Sequence, residues 1–224
     1  MKSNFSALSV AFAFVGSLAF SQAQAITAPA TVADFPDTTP QELTIHPLGW
    51  SDPAFGDMGW THRSGWGKFT AEKDQMVEIM VDSGNVSVHP GVSVWYRDPV
   101  RDTIADNYVF DHFYAQMANQ YKSKAVDEKT AAELGNLVMK NVAYGYDLDG
   151  KNNPRIAELR GIRDKIAGKL VLTFKASKSG TYIFTVGGIN AGNDLFDMAA
   201  DGTKTLKTDF AKIPVTTTVT VTTP

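Results

Sequence analysis

The stretch Gln75-Met76-Val77-Glu78-Ile79-Met80-Val81-Asp82 alternates polar and apolar residues with a period of two. Successive side chains of a β-strand point to opposite faces, so this pattern predicts a strand with one face against a core. A turn is predicted directly after it, at Asp82-Ser83-Gly84-Asn85, because these residue types are common in turns. We therefore expect a fold built from β-sheets.

Segments on both sides of this stretch also have strand patterns. They are Lys68–Ala71, Val92–Arg97, Lys169–Ala176, Gly180–Gly187 and Val215–Thr223. The last of these is rich in Thr and Val, which predicts a half-buried strand that closes a sheet. Residues Ile26–Pro53 contain five prolines and are expected to lie as extended coil over the surface, with short strands such as Leu43–His46.

The middle of the chain changes to helical spacing of its apolar residues. The predicted helices are Asp106–Asn119, Val126–Lys140 and Pro154–Ala167. The third begins with proline and is followed by Gly168, which are common start and stop signals of helices. The sequence thus predicts a mainly β protein. We expect a single β-sandwich domain in residues 26–224, with a helical insertion at about 105–168 and long coil segments.

Residues Met1–Ala25 have the three parts of a cleaved signal peptide. Lys2 gives a positive start, Leu8–Phe20 is an apolar run, and Ala23-Gln24-Ala25 fits a small-x-small cleavage site. The apolar run is shorter than the roughly 20 residues that span a bilayer. We therefore expect cleavage after Ala25 and a mature protein that is secreted, periplasmic or associated with the cell surface.

The chain of 224 residues contains no cysteine and has a formal net charge of −3. An exported protein without cysteine has no disulfides, and only His, Met, carboxylate and carbonyl groups remain as metal ligands. The mild charge, with no basic stripe in the sequence, argues against nucleic acid as a partner. The sequence contains no nucleophile motif, phosphate-binding loop or paired-histidine zinc motif, so we do not expect an enzyme.

Two of the four histidines are distinguished by their aromatic neighbours. In Gly59-Trp60-Thr61-His62-Arg63-Ser64-Gly65-Trp66-Gly67, Trp60 and His62 share a face if the segment is a strand. His112 lies within Asp111-His112-Phe113-Tyr114. Two imidazoles in an apolar pocket suit Cu(I) or Zn(II). The alternatives are a strand edge whose indoles cover the core, and a core histidine bonded to a carbonyl.

These segments, together with His89-Pro90-Gly91-Val92-Ser93-Val94-Trp95-Tyr96, resemble the methanotroph surface-associated, copper-repressible copper(I)-binding proteins of the CorA/MopE type. The resemblance extends over most of the mature chain, and the Trp-x-His unit is its most specific part. In that family, two histidines and a kynurenine formed from the tryptophan hold Cu(I). The resemblance thus implies His62 and His112 as copper ligands, with Trp60 as the kynurenine position. His89 is the reserve ligand for His112.

The resemblance also implies a role for the protein. We expect secreted copper acquisition or storage, with the ion in a dry pocket near Trp66 and Phe113 and with association at the outer-membrane surface. An intact indole N–H only donates, whereas kynurenine offers an aryl amine and carbonyls to a metal. Oxidation of Trp60 by a copper ion already held by the two imidazoles is a coherent route to that ligand.

A second metal is indicated by Asp147-Leu148-Asp149-Gly150-Lys151-Asn152-Asn153, which places oxygen ligands around a glycine as a Ca²⁺ loop requires. Asp147, Asp149 and Asn152 are the candidate calcium ligands, and calcium is also implied by the family resemblance. The EF-hand pattern is not met, because Lys151 occupies its fifth position. An Asx-rich turn before Pro154 is the alternative.

Two other functions remain open from the sequence. The first is a calcium-stabilised adhesion or carbohydrate-binding sandwich, in which exposed tryptophans stack on sugars and no copper is bound. The second is a copper-dependent oxidase or oxygenase, since two imidazoles with an open position can activate oxygen.

Overall fold

The computed structural model describes residues 25–27, 32–45, 50–52, 56–58, 64–86, 88–110, 119–147, 166–190, 196–206 and 212–223. All regular structure within these ranges is strand. They contain no helix long and apolar enough to cross a membrane. In chain order the strands are β1 (Ala25–Thr27), β2 (Val32–Asp34), β3 (Gln41–Ile45), β4 (Trp50–Asp52), β5 (Gly56–Met58), β6 (Gly65–Ala71), β7 (Met76–Asp82), β8 (Val88–Arg97), β9 (Val109–Phe110), β10 (Gln120–Asp127), β11 (Glu133–Tyr146), β12 (Lys169–Lys175), β13 (Gly180–Asn190), β14 (Phe196–Met198), β15 (Lys204–Leu206) and β16 (Ile213–Thr222).

The strands form two main sheets and two small hairpins. The large sheet has eight strands in the order β2-β6-β13-β8-β11-β10-β1-β9, and the small sheet has four in the order β12-β7-β16-β3. Neighbouring strands pair antiparallel, except that β2 runs parallel to β6 and β1 parallel to β10. The hairpins pair β4 with β5 and β14 with β15. The prediction of a mainly β fold is confirmed.

The main core lies between the two sheets. In β7, the side chains of Val77, Ile79 and Val81 are at most 1% exposed, while the alternate positions face outward. They join Phe69 and Phe184 of the large sheet in one buried cluster. Full burial of each such side chain contributes about 1.5–3 kcal/mol. The period-two pattern of β7 therefore forms one wall of the sandwich core.

A second buried cluster covers the outer face of the large sheet. Its largest members are Trp66 on β6 and Trp95 on β8, whose ring centroids are 6.1 Å apart with planes inclined by 25°. Ile183 of β13 lies in the same cluster, together with Ile104 and Val109 from the chain that follows β8. The large sheet is thus covered on both faces at this point. This explains why β8 is buried along almost its whole length.

The helix predicted for Val126–Lys140 is wrong, because this segment forms the hairpin between β10 and β11. Asp127 Oδ1 accepts the backbone N–H of Thr130 (2.8 Å), so Asp127 makes an Asx turn instead of capping a helix. Leu137 and Val138 are successive residues of β11, point to opposite faces and are both buried. A strand covered on both faces has no clean alternation, and its apolar residues imitated helical spacing.

The other two predicted helices are only partly within the described residues. The described part of Asp106–Asn119 consists of a turn and β9, with no helix. Residues 154–165 of Pro154–Ala167 lie outside the described ranges, so that helix stays a prediction. Gly168, the predicted stop signal, has a φ of 81°, and a Cβ there would lie 2.5 Å from the carbonyl oxygen of Asn85. Glycine is the residue that fits both constraints.

The strand predictions outside the middle of the chain are confirmed. The C-terminal strand β16 alternates buried and exposed residues as predicted, and it lies inside the small sheet, between β7 and β3. The proline-rich segment Ile26–Pro53 contributes short strands, among them β3, which includes most of the predicted Leu43–His46.

Candidate metal centre

Most residues of the predicted metal sites lie outside the described part of the chain. They are Trp60, His62, His112, Asp149 and Asn152. His89 and Asp147 are described, as are several strand ends next to them. These groups define the geometry of the candidate centre.

One end of the large sheet, which we call the His89 end, brings several strand termini together. β6 begins at Gly65, which pairs with Val186 of β13. On the other side of β13, His89 of β8 pairs with Ile189. β11 ends beside the start of β8 and runs directly into Asp147. With strands about 4.8 Å apart and a rise of about 3.3 Å per residue, the Cα atoms of Gly65 and His89 are about 14 Å apart.

At this end, His89 faces a buried carboxylate. Nδ1 of His89 is 3.4 Å from Oδ2 of Asp147, and the side chains are 19% and 3% exposed. The unbroken pairing of β8 with β13 places His89 on the same face as Trp95. A neutral imidazole that donates from Nδ1 keeps the lone pair of Nε2 for a metal, and a carboxylate commonly orients a metal-binding histidine in this way. The pair has the chemistry of one metal ligand and its orienting partner.

Asp147 is fixed by two further contacts. Its backbone N–H donates to the carbonyl oxygen of Pro90 (2.8 Å), and its Oδ2 accepts the backbone N–H of Gly168 (2.7 Å). The chain therefore leaves the sheet at Asp147 and returns close to it at Gly168. These contacts give the carboxylate a structural role, and the predicted calcium role of Asp147 stays a prediction.

The described residues contain no group of three His, Cys, Asp or Glu side chains that could hold a metal ion. His89 and Asp147 on their own fall short of a closed coordination sphere. The imidazole nitrogen of His89 is nevertheless a ligand type that suits copper.

Trp66, the second residue of β6, and Trp95 of β8 form a buried apolar wall. Trp66 is 2% exposed and Trp95 is 1% exposed. The dry pocket expected near Trp66 and Phe113 stays a prediction, because Phe113 lies outside the described residues. Neither of these two rings has a face free to stack on a sugar.

A buried ion pair, which we did not predict, holds this wall in place. Arg97 donates from Nε to Oδ2 of Asp102 (2.6 Å) and from Nη2 to Oδ1 (2.8 Å), and both side chains are 4% exposed. The guanidinium also donates to the carbonyl oxygens of Tyr108 (2.9 Å) and Ile104 (3.1 Å). The sequence signal was an arginine two residues after Trp95, which strand alternation places on the same covered face.

Further charged groups stabilise the end of β8 opposite His89. Lys140 Nζ lies 2.9 Å from Oδ2 of Asp98, and Arg101 lies 3.1 Å from the same atom. The hydrogen bond from Lys140, supported by Arg101, holds the pKa of Asp98 well below its usual range. Tyr108 donates to Asp127 (2.9 Å), and this bond raises the pKa of Tyr108. These groups belong to the fold, since none of them lies at the His89 end.

The sequence matches a family model described as "Copper(I)-binding protein CorA-like" over residues 22–196. The chain is similar to CorA, a surface-associated copper-binding protein that is important in the copper acquisition of Methylomicrobium album BG8. The two sequences are 28% identical, the TM-score is 0.66, and the match covers 88% of this chain and 100% of CorA. It is also similar to the Methylococcus capsulatus secreted protein MopE, in which an oxidized tryptophan facilitates copper binding. That match has 17% identity, a TM-score of 0.54, and coverage of 88% and 92%, and it shows the fold alone. No curated protein matches the sequence. The family resemblance seen in the sequence is confirmed.

Proposed function

The chain belongs to the CorA-like family of copper(I)-binding proteins, and from this membership we propose that it binds copper(I) for acquisition or storage, without turning over a substrate. The observation that carries the proposal is the family match over residues 22–196, supported by a fold that spans the full length of CorA. CorA itself is surface-associated and important in the copper acquisition of its organism.

The proposed copper ligands are His62, His112 and a kynurenine formed from Trp60. Imidazole nitrogen suits copper, and the sequence offers no cysteine that would compete for the ion. Three residues after His62, Gly65 begins β6 at the His89 end of the large sheet, and the buried ring of Trp66 follows it. A site next to such a wall is shielded from water, which favours retention of a soft ion.

The oxidation of Trp60 belongs to the same proposal. Dioxygen opens the indole ring to N-formylkynurenine, and water then releases formate, so the residue gains one oxygen atom and loses one carbon atom. A copper ion held by the two imidazoles would direct this oxidation to the neighbouring indole. We expect His62→Ala to leave Trp60 unoxidised, and full oxidation in that variant would contradict the copper-directed route.

The proposed location is the cell surface or the medium, after cleavage of the signal peptide behind Ala25. CorA is surface-associated, which supports export of this chain. Calcium bound by Asp147, Asp149 and Asn152 remains a second proposed site. The rival sugar-binding function gains no support from Trp66 and Trp95, because both are buried.

The test is mass spectrometry of intact protein and peptides from the native host, combined with metal analysis. We expect one copper ion per chain. We also expect the mass of the Trp60 peptide to increase by the mass of one oxygen atom minus the mass of one carbon atom. The peptides of Trp66 and Trp95 are internal controls, because burial protects both indoles and their masses should be unchanged. An unmodified Trp60 in copper-free protein that still binds Ca²⁺ would contradict the proposal and support the adhesion function.

A further inference from the structure

We propose that His89, oriented by Asp147, is the imidazole at which copper(I) is exchanged between this protein and an outside ligand. This role rests on the proposed function, because it concerns the same cargo. It adds a point of copper contact that is separate from the three proposed ligands.

The orientation of His89 is determined from three sides. The residue before a proline is restricted to extended backbone, and His89 precedes Pro90 in β8. Its backbone pairs with Ile189 of β13, which sets its position in the sheet. Nδ1 faces Asp147, whose carboxylate is itself held by the N–H of Gly168. An imidazole with a fixed ring and an engaged Nδ1 presents Nε2 in one direction.

The exposure of His89 suits exchange better than storage. Its side chain is 19% exposed, whereas its partner Asp147 is only 3% exposed. An outside ligand can therefore approach the ring while the carboxylate stays protected.

The position of His89 also suits transfer to the proposed copper site. Gly65, three residues after His62, lies about 14 Å from His89 by strand spacing and rise. Both residues belong to the His89 end of the large sheet, on strands that flank β13. His89 and the start of β6 therefore lie at the same end of the sheet, and the segment that carries His62 directly precedes β6 in the sequence.

The exchange step involves one bond formed and one broken. The Nε2 lone pair of His89 forms a bond to Cu(I) as the bond from the ion to the donor ligand breaks. The ion remains Cu(I) throughout. The step therefore requires no oxidant.

The experiment measures copper transfer from the Cu(I)–bicinchoninate complex to copper-free protein under anaerobic conditions. We expect His89→Gln to slow the transfer about tenfold or more, while the final copper content stays that of the wild type. Asp147→Asn keeps an acceptor for the Gly168 N–H and should slow transfer through the loss of ring orientation. The matched control is His46→Gln, the same change at a histidine without an assigned role, and it should transfer at the wild-type rate.

The outcomes separate this role from the proposed function. A wild-type protein that takes up no copper would contradict the proposed function itself. Transfer to His89→Gln at the wild-type rate would overturn the exchange role and leave the proposed function standing. A loss of final copper content in His89→Gln would also overturn it, because His89 would then be a permanent ligand.

A second measurement uses the wild type and does not depend on the folding of a variant. Substoichiometric Cu(I) is added to copper-free protein, and the histidine ring resonances are followed by NMR. We expect the His89 ring signals to broaden during loading and to recover when loading is complete. His89 signals that never respond to Cu(I) would overturn the role.

Discussion

The buried pair of Arg97 and Asp102 provides a test of how the outer wall of the large sheet is held. Asp102→Asn keeps the shape of the side chain and removes its charge. Oδ2 of Asp102 accepts both Arg97 Nε (2.6 Å) and the backbone N–H of Val138 (2.9 Å). In the variant, one carboxylate oxygen becomes an amide NH₂ that must face one of these donors or the second guanidinium nitrogen. The guanidinium also stays buried without its counter-charge.

The size of the effect follows from this burial. Both side chains are 4% exposed, so water has little access to screen the lone guanidinium. Removing one partner of a buried ion pair costs about 3–5 kcal/mol. Since a domain has about 5–15 kcal/mol of total stability, the variant loses a large part of it. At about 2–4 °C per kcal/mol for a domain of this size, the unfolding midpoint should fall by about 6–20 °C.

Thermal unfolding of copper-free protein, followed by circular dichroism, measures this shift without a contribution from metal binding. The matched control is Asp74→Asn. Asp74 Oδ1 lies 2.8 Å from Lys175 Nζ, but these side chains are 52% and 58% exposed. Such a surface pair contributes at most about 1 kcal/mol. Equal shifts in both variants would show that water screens Arg97 and that the pair does not hold the wall.

Three further predictions concern stability. Because the folded state holds the pKa of Asp98 below its ordinary 3.8, Asp98 stabilises the fold at neutral pH and loses this contribution as the pH falls below that value. The difference in urea midpoint between wild type and Asp98→Asn should therefore shrink in acid, and a constant difference would contradict the ion pairing with Lys140. Gly168→Ala should destabilise the folded state by about 1–3 kcal/mol more than Gly84→Ala. Both glycines have positive φ, but only at Gly168 would a Cβ press against Asn85. Equal denaturation midpoints of the two variants would contradict this. Removing copper should leave the far-ultraviolet circular dichroism signal of the sheets unchanged, because both described cores consist of side chains alone. Loss of the strand signal would show that the metal holds the fold.

The sequence predicted strands well where one face is buried and the other is exposed. In β7, Val77, Ile79 and Val81 face the core and their neighbours do not, so alternation was visible. In β11 both Leu137 and Val138 are buried, and the same rule failed. The ion pair of Arg97 and the contact of His89 with Asp147 were also missed, because each joins residues that only pairing between strands brings together.

By itself, the sequence determined the family, the mainly β fold and the longer strands that have one exposed face. These properties depend on residue types and on the burial of a strand's own side chains, which local patterns record. Only the tertiary structure decided which strands are neighbours. The turn predicted at Asp82–Asn85 connects β7 of the small sheet to β8 of the large sheet, so strands that follow each other in the sequence lie in different sheets. Backbone hydrogen bonds between strands join residues far apart in the chain, so no local pattern specifies their partners.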